Sequence, residues 1–164
     1  MKKYLPLLIF ALLLGLFFFS SQDSMETNAI SLKAAHAAAR LLYFNFEHCT
    51  PEIQSALIHG LNPFIRKAAH LTLYAMLGGL SYLWLRHLRH NISTAMSIAA
   101  LFAALDEFHQ LFVDGRTGNV TDILLDCFGA ACGIGIMFLL LCLRHCLHDA
   151  KIQKKGVWNK CQRS

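Results

Sequence analysis

The sequence predicts an all-α integral membrane protein: four transmembrane helices, with an extracytoplasmic loop containing one or two short amphipathic helices. Three observations predict it. Charged residues make up 15% and hydrophobic residues 55% of the 164, against roughly 25% charged in a soluble domain. Four apolar stretches approach the length of about 20 residues that a helix needs to cross a bilayer. Lys and Arg gather on alternate connections between those stretches. The length fits one domain, and the composition excludes disorder and a soluble fold with a charged exterior. The net charge of +5 is divided among short segments, so no nucleic acid partner is expected; membrane lipids are.

The first span runs from Tyr4 to about Ser20, so residues 1–20 form an N-terminal anchor. Lys2-Lys3 before an apolar stretch resembles a signal peptide, but Phe17-Phe18-Phe19 stands where small residues mark a cleavage site, which favours an uncleaved anchor. Residues 21–67 form the extracytoplasmic amphipathic loop. Within it, Ile30 to Phe46 places Ala, Leu and aromatic residues at helical spacing and reads as a helix lying on the membrane surface. Thr50-Pro51-Glu52 is an N-cap, a first-position Pro and a first-turn acid, which predicts a short helix to about Leu61. Asn62-Pro63 repeats the start signal.

Residues 68–143 form a three-helix transmembrane core, with spans at about Ala68–Leu85, Ile92–Phe112 and Ile123–Leu143. Residues 144–164 form a basic tail. With four spans, Lys2, Lys3, Arg86, Arg89, Arg144, Lys151, Lys154, Lys155, Lys160 and Arg163 share one side. Lys33, Arg40, Arg66, Lys67 and Arg116 take the other. Cations favour the cytoplasmic side of short loops, so both termini are expected to be cytoplasmic. Arg66-Lys67 opposes that signal, which points to another task for the pair.

Ionisable groups inside a membrane are costly and are functional candidates by default. Arg66, Lys67, His70 and Tyr74 share one broad helical face at the start of the second span. Asp106, Glu107, His109 and Gln110 end the third span. Arg116 and Asp122 sit in the short connection beyond it, and Asp126 lies one turn after Asp122. The four-span topology brings all of them to the extracytoplasmic end.

These residues also carry a resemblance. Arg66-Lys-x-x-His70-x-x-x-Tyr74, Asp106-Glu107-Phe-His109-Gln110, Arg116-Thr-Gly-x-x-x-Asp122 and Gly129-Ala-x-x-Gly133 together resemble the VanZ-like family, as does Ser21-Gln22 after the first span. The match covers about Ser21 to Gly133. The resemblance implies a small multi-spanning protein of the bacterial cell membrane, in a family whose founding member is associated with low-level teicoplanin resistance. The chain departs from the family pattern at Asp126, where Asn is usual, at Leu73, where a polar residue is frequent, and at Asp114, where Pro is common.

The charged cluster admits several readings. Arg66, Lys67 and Arg116 can hold an anionic lipid headgroup or a lipid-linked cell-wall precursor, since guanidinium forks suit phosphate. Acids, His70, His109, Tyr74 and Gln110 would bond its other groups, and glycopeptide tolerance would be affected. An acid/base enzyme acting on a lipid phosphate would use Asp106, Glu107 and His109 as catalytic groups. A structural bundle would only pair Arg66 or Lys67 with Asp106 or Glu107, and Arg116 with Asp122. A coupled transporter is a further reading.

No cofactor and no metal site is expected. Asp106, His109 and Asp122 have ligand chemistry, but the nearby Arg and Lys oppose a cation. Cys142, His145, Cys146 and His148 lack standard zinc spacing. The cysteines are divided among compartments and give no disulfide framework. Gly129-x-x-x-Gly133 offers a smooth strip for close helix approach, within the bundle or across a homodimer.

Overall fold

A computed structural model describes residues 3–21, 24–113 and 118–161. Among them the regular elements are helical, with no strand: α1 (Leu5–Ser21), α2 (Ser24–Leu42), a 3₁₀ turn at Phe46–His48, α3 (Pro51–Leu85), α4 (Asn91–Gln110) and α5 (Val120–Cys161). Arg116 lies outside the described residues, as do Gln22, Asp114 and Arg163.

α1 is apolar on all sides. Ile9 and Leu16 turn inward, while Leu7, Leu8, Phe10 and Leu14 stay exposed. A helix with no polar face suits an apolar surrounding. One helix, over Val120–Ile152 of α5, is long and apolar enough to cross a membrane, and most of it is unburied. That exposure separates it from the core helix of a soluble protein. α1 is apolar over Leu5–Phe17 but shorter.

Small residues set the packing of the other helices. Ser31, Ala35 and Ala39 recur every four residues on α2 and are all buried. The face that α2 buries is therefore its small-residue face; α2 packs on α3, and Lys33 and His36 share a cavity with Pro51 to His59. The amphipathic helix begins earlier than Ile30 and ends before Phe46, because Tyr43 to Asn45 turn the chain. Gln54 fastens that turn, donating from Nε2 to the carbonyls of Phe46 at 3.0 Å and Cys49 at 3.1 Å.

Asn62-Pro63 does not restart a helix, contrary to the sequence expectation. α3 runs unbroken through Pro63 for 35 residues, about 52 Å at 1.5 Å per residue. An internal Pro forfeits one backbone hydrogen bond and crowds the carbonyl four residues earlier, here that of His59. Packing against α2 before the Pro and against α5 after it holds the two halves in one helix. α5 likewise continues past Leu143 to Cys161.

α1, α3, α4 and α5 alternate in direction. Leu5, Leu83, Arg86 and Arg144 line one cavity at one end, whereas the rings of Phe17 and His109 meet at the other, with centroids 4.8 Å apart. α3 and α5 therefore run parallel, with Leu71 beside Gly129 and Ala75 beside Gly133. A Cβ on Gly129 would lie 2.6 Å from the Leu71 carbonyl oxygen, and one on Gly133 would overlap that of Ala75. The strip read as a packing surface or a homodimer contact is taken up by α3 of the same chain.

Candidate functional site

The inward stripe of α4 is Ala95, Ala99 and Ala103, all fully buried, and Asp106 and Gln110 continue it. On α5 the stripe is Ala130, Gly133 and Ile134, and Asp126 precedes it by one turn at 1% exposure. The helix faces that build the core thus carry these acids into the interior. Tyr74 and His70 reach the same level from α3, Tyr74 at 1% exposure and His70 partly open.

Three helices meet at His70. Its Nδ1 faces Asp126 Oδ2 at 3.8 Å and Asp106 Oδ2 at 3.9 Å. Gln110 Nε2 donates to Asp106 Oδ2 at 3.1 Å, one turn along α4. Asp126 Oδ2 is sealed from solvent and accepts no hydrogen bond among the described residues. The three ligand-type atoms of His70, Asp106 and Asp126 all lie within 4.8 Å of one another.

The remaining candidates form a rim around this centre. Lys67 Nζ pairs with Asp122 Oδ1 at 3.0 Å, with both side chains partly exposed. Lys67 therefore does not pair with Asp106 or Glu107, as the ion-pair reading expects; its place one turn before His70 leaves it level with the start of α5. Glu107 is buried, and its Oε2 accepts the backbone N–H of Asn119 at 2.7 Å. That bond ties the end of α4 to the start of α5. Gly118 makes the approach feasible, since a Cβ there would lie 2.8 Å from the Glu107 carbonyl oxygen. Arg66 is half-buried on α3, and among the described residues no ion pair joins it to the cluster.

His109 is turned toward α1 and lies against Phe17. The metal set of Asp106, His109 and Asp122 is consequently not assembled: Asp122 is engaged by Lys67 and His109 by Phe17. Asp126 belongs to the centre, although sequence reasoning left it outside the ligand set. Its signal was available, as an acid one turn inside Asp122 and in helical register with Gly129 and Gly133.

Beside the polar centre lies an apolar cleft of about 280 Å³ between α1 and α4. Leu13, Leu16 and Phe17 line it from one side and Phe102 and Leu105 from the other, and Tyr74 and Asp106 are its polar members. Asp106 thus borders both the cleft and the His70 centre. Such an arrangement suits an amphiphile, with an apolar chain along the cleft and a polar group at Asp106.

Residues 5–141, which include every residue of this centre, match VanZ/LLP1. The chain belongs to the VanZ/LLP1 family. The match extends beyond the Ser21 to Gly133 stretch that the motifs cover, taking in α1 and the apolar part of α5. Membership and the apolar α5 together suggest membrane association. No curated protein and no solved structure matches the chain.

Proposed function

We propose that this VanZ/LLP1 protein spans the bacterial cell membrane four times, through α1, the second half of α3, α4 and α5, with both termini cytoplasmic. It binds an anionic lipid or lipid-linked envelope precursor at the outer leaflet. The observation that carries the reading is the shared position of Asp106, which borders an apolar cleft on one side and the buried His70 centre on the other. The apolar lining of the cleft suits part of a lipid tail. Lys67 and Arg66 at the rim, with Arg116 from the α4–α5 connection, supply positive charge for a phosphate. The alternating directions of the helices support four spans, and the Lys/Arg asymmetry supports the orientation. Sequestering an envelope precursor would connect the site with glycopeptide tolerance.

The test is native mass spectrometry of the full-length protein purified in mild detergent. Retained anionic lipid or lipid-linked precursor is the expected result. Retention of zwitterionic lipid in proportion to its membrane abundance would contradict it.

A second reading is favoured by His70 facing two buried carboxylates. A His held between acids can shuttle a proton, and the centre would then act as the acid/base group of an enzyme on a lipid phosphate. Release of inorganic phosphate or headgroup from a lipid phosphate, abolished by Asp106→Asn, would support turnover. Intact lipid after prolonged incubation would leave binding alone.

A further inference from the structure

Lipid binding leaves the buried acids unexplained. Asp106, Glu107 and Asp126 are all at most 8% exposed, and an ionised carboxylate away from water is costly unless it is paired or bound to a metal. Glu107 has the Asn119 amide and Asp106 has Gln110. Lys67 pairs with Asp122 at the rim and with none of these three acids. Asp126 is 1% exposed, and its Oδ2 accepts no hydrogen bond among the described residues while facing His70 Nδ1 at 3.8 Å. Among the described residues, no Lys or Arg pairs with the two carboxylates at this meeting point of three helices. These acids would also repel a phosphate brought to the cleft.

We propose that His70 Nδ1, Asp106 Oδ2 and Asp126 Oδ2 hold a divalent first-row transition ion such as Mn²⁺ or Zn²⁺. The atoms have the right chemistry, because imidazole suits Zn²⁺ and similar ions while carboxylates suit Mn²⁺. Ligand bonds of about 2.0–2.2 Å place neighbouring donors roughly 3–3.5 Å apart. The His70–carboxylate separations of 3.8 and 3.9 Å therefore close by about half an ångström on binding, and the widest separation among the three atoms, up to 4.8 Å, closes by more. Gln110 already orients the Asp106 carboxylate, as an outer partner of a metal ligand does. Three protein ligands leave a coordination position open. With an ion in place the two carboxylate charges are neutralised and the open coordination position can accept a phosphate oxygen, which reconciles the centre with the proposed anionic ligand. The ion site uses protein groups alone, so it stands whether or not the cleft holds a lipid.

The experiment uses full-length protein stripped with chelator and titrated with Mn²⁺ alone, without added lipid, following the free-ion signal by electron paramagnetic resonance. Mn²⁺ avoids the thiols of Cys142 and Cys146, which prefer softer ions. The wild type is expected to take up one ion per chain. Asp126→Asn and His70→Ala should each weaken it at least tenfold, and Asp149→Asn, far along α5, should leave it unchanged. Equal uptake by wild type and Asp126→Asn would overturn the site. Because a variant can misfold, Co²⁺ absorption is read with the three ligands intact as well. In a background lacking the native thiols, bands distinct from aqueous Co²⁺ and displaced by Zn²⁺ support the site, whereas an aqueous spectrum contradicts it. Ion uptake without retained lipid would refute the lipid reading and leave the metal site standing; the converse would do the opposite.

Discussion

Asp126 of α5 meets His70 of α3 at 3.8 Å one turn from the place where Gly129 packs on the Leu71 carbonyl. The polar contact and the small-residue contact are consecutive parts of one helix interface. Without the glycines the backbones could not come close enough for so short a side chain as Asp126 to reach His70. The strip on α5 is therefore part of the site's construction.

A bulky side chain at Gly133 should force α3 and α5 apart. Gly133→Leu should lower stability by at least about 1–3 kcal/mol, the usual cost of overpacking, and weaken ligand retention with it. Gly135, two residues on, has open space around its Cβ position, so Gly135→Leu is the matched control and should be neutral. Thermal unfolding in detergent, followed by circular dichroism, checks both.

Lys67 and Asp122 form a partly exposed pair, with side chains 55% and 34% accessible. Such pairs contribute at most about 1 kcal/mol. Lys67→Met should therefore leave unfolding nearly unchanged while reducing retention of anionic lipid severalfold. A large stability loss with lipid retention intact would assign Lys67 a purely structural role.

The proposed orientation puts the α4–α5 connection outside the cell and the α3–α4 connection inside. In a background lacking the native thiols, Thr121→Cys should react with an impermeant maleimide in intact cells. Arg89→Cys should react only after permeabilisation. The reverse pattern would invert the topology.

Much of this arrangement was legible in the sequence, because charge within long apolar stretches is rare enough to stand out. His70, Asp106 and Gln110 do converge. What misled was local chemistry overridden by packing. Asn62-Pro63 has the form of a helix start, yet α2 and α5 hold the two halves of α3 together across it. Lys67 and Asp106 have opposite charges, yet helix register gives Lys67 to Asp122. Asp126 was visible as an acid, but its role depends on the parallel contact of α3 with α5, and pairing between distant helices is not written in local spacing. The alanine stripe of α4 reads as bland in sequence, although it is what turns Asp106 inward.

The central claim is that the α1–α4 cleft holds a lipid whose polar group lies at Asp106. Leu105 lines the cleft from a half-exposed position, so Leu105→Trp should fill it without disturbing the core. The most direct measurement is binding of wild type and Leu105→Trp to nanodiscs containing a fluorescent anionic lipid, with unfolding temperature recorded for each. The account predicts unchanged stability and at least a tenfold loss of specific lipid signal in the variant. Equal lipid signal from two equally stable proteins would contradict it.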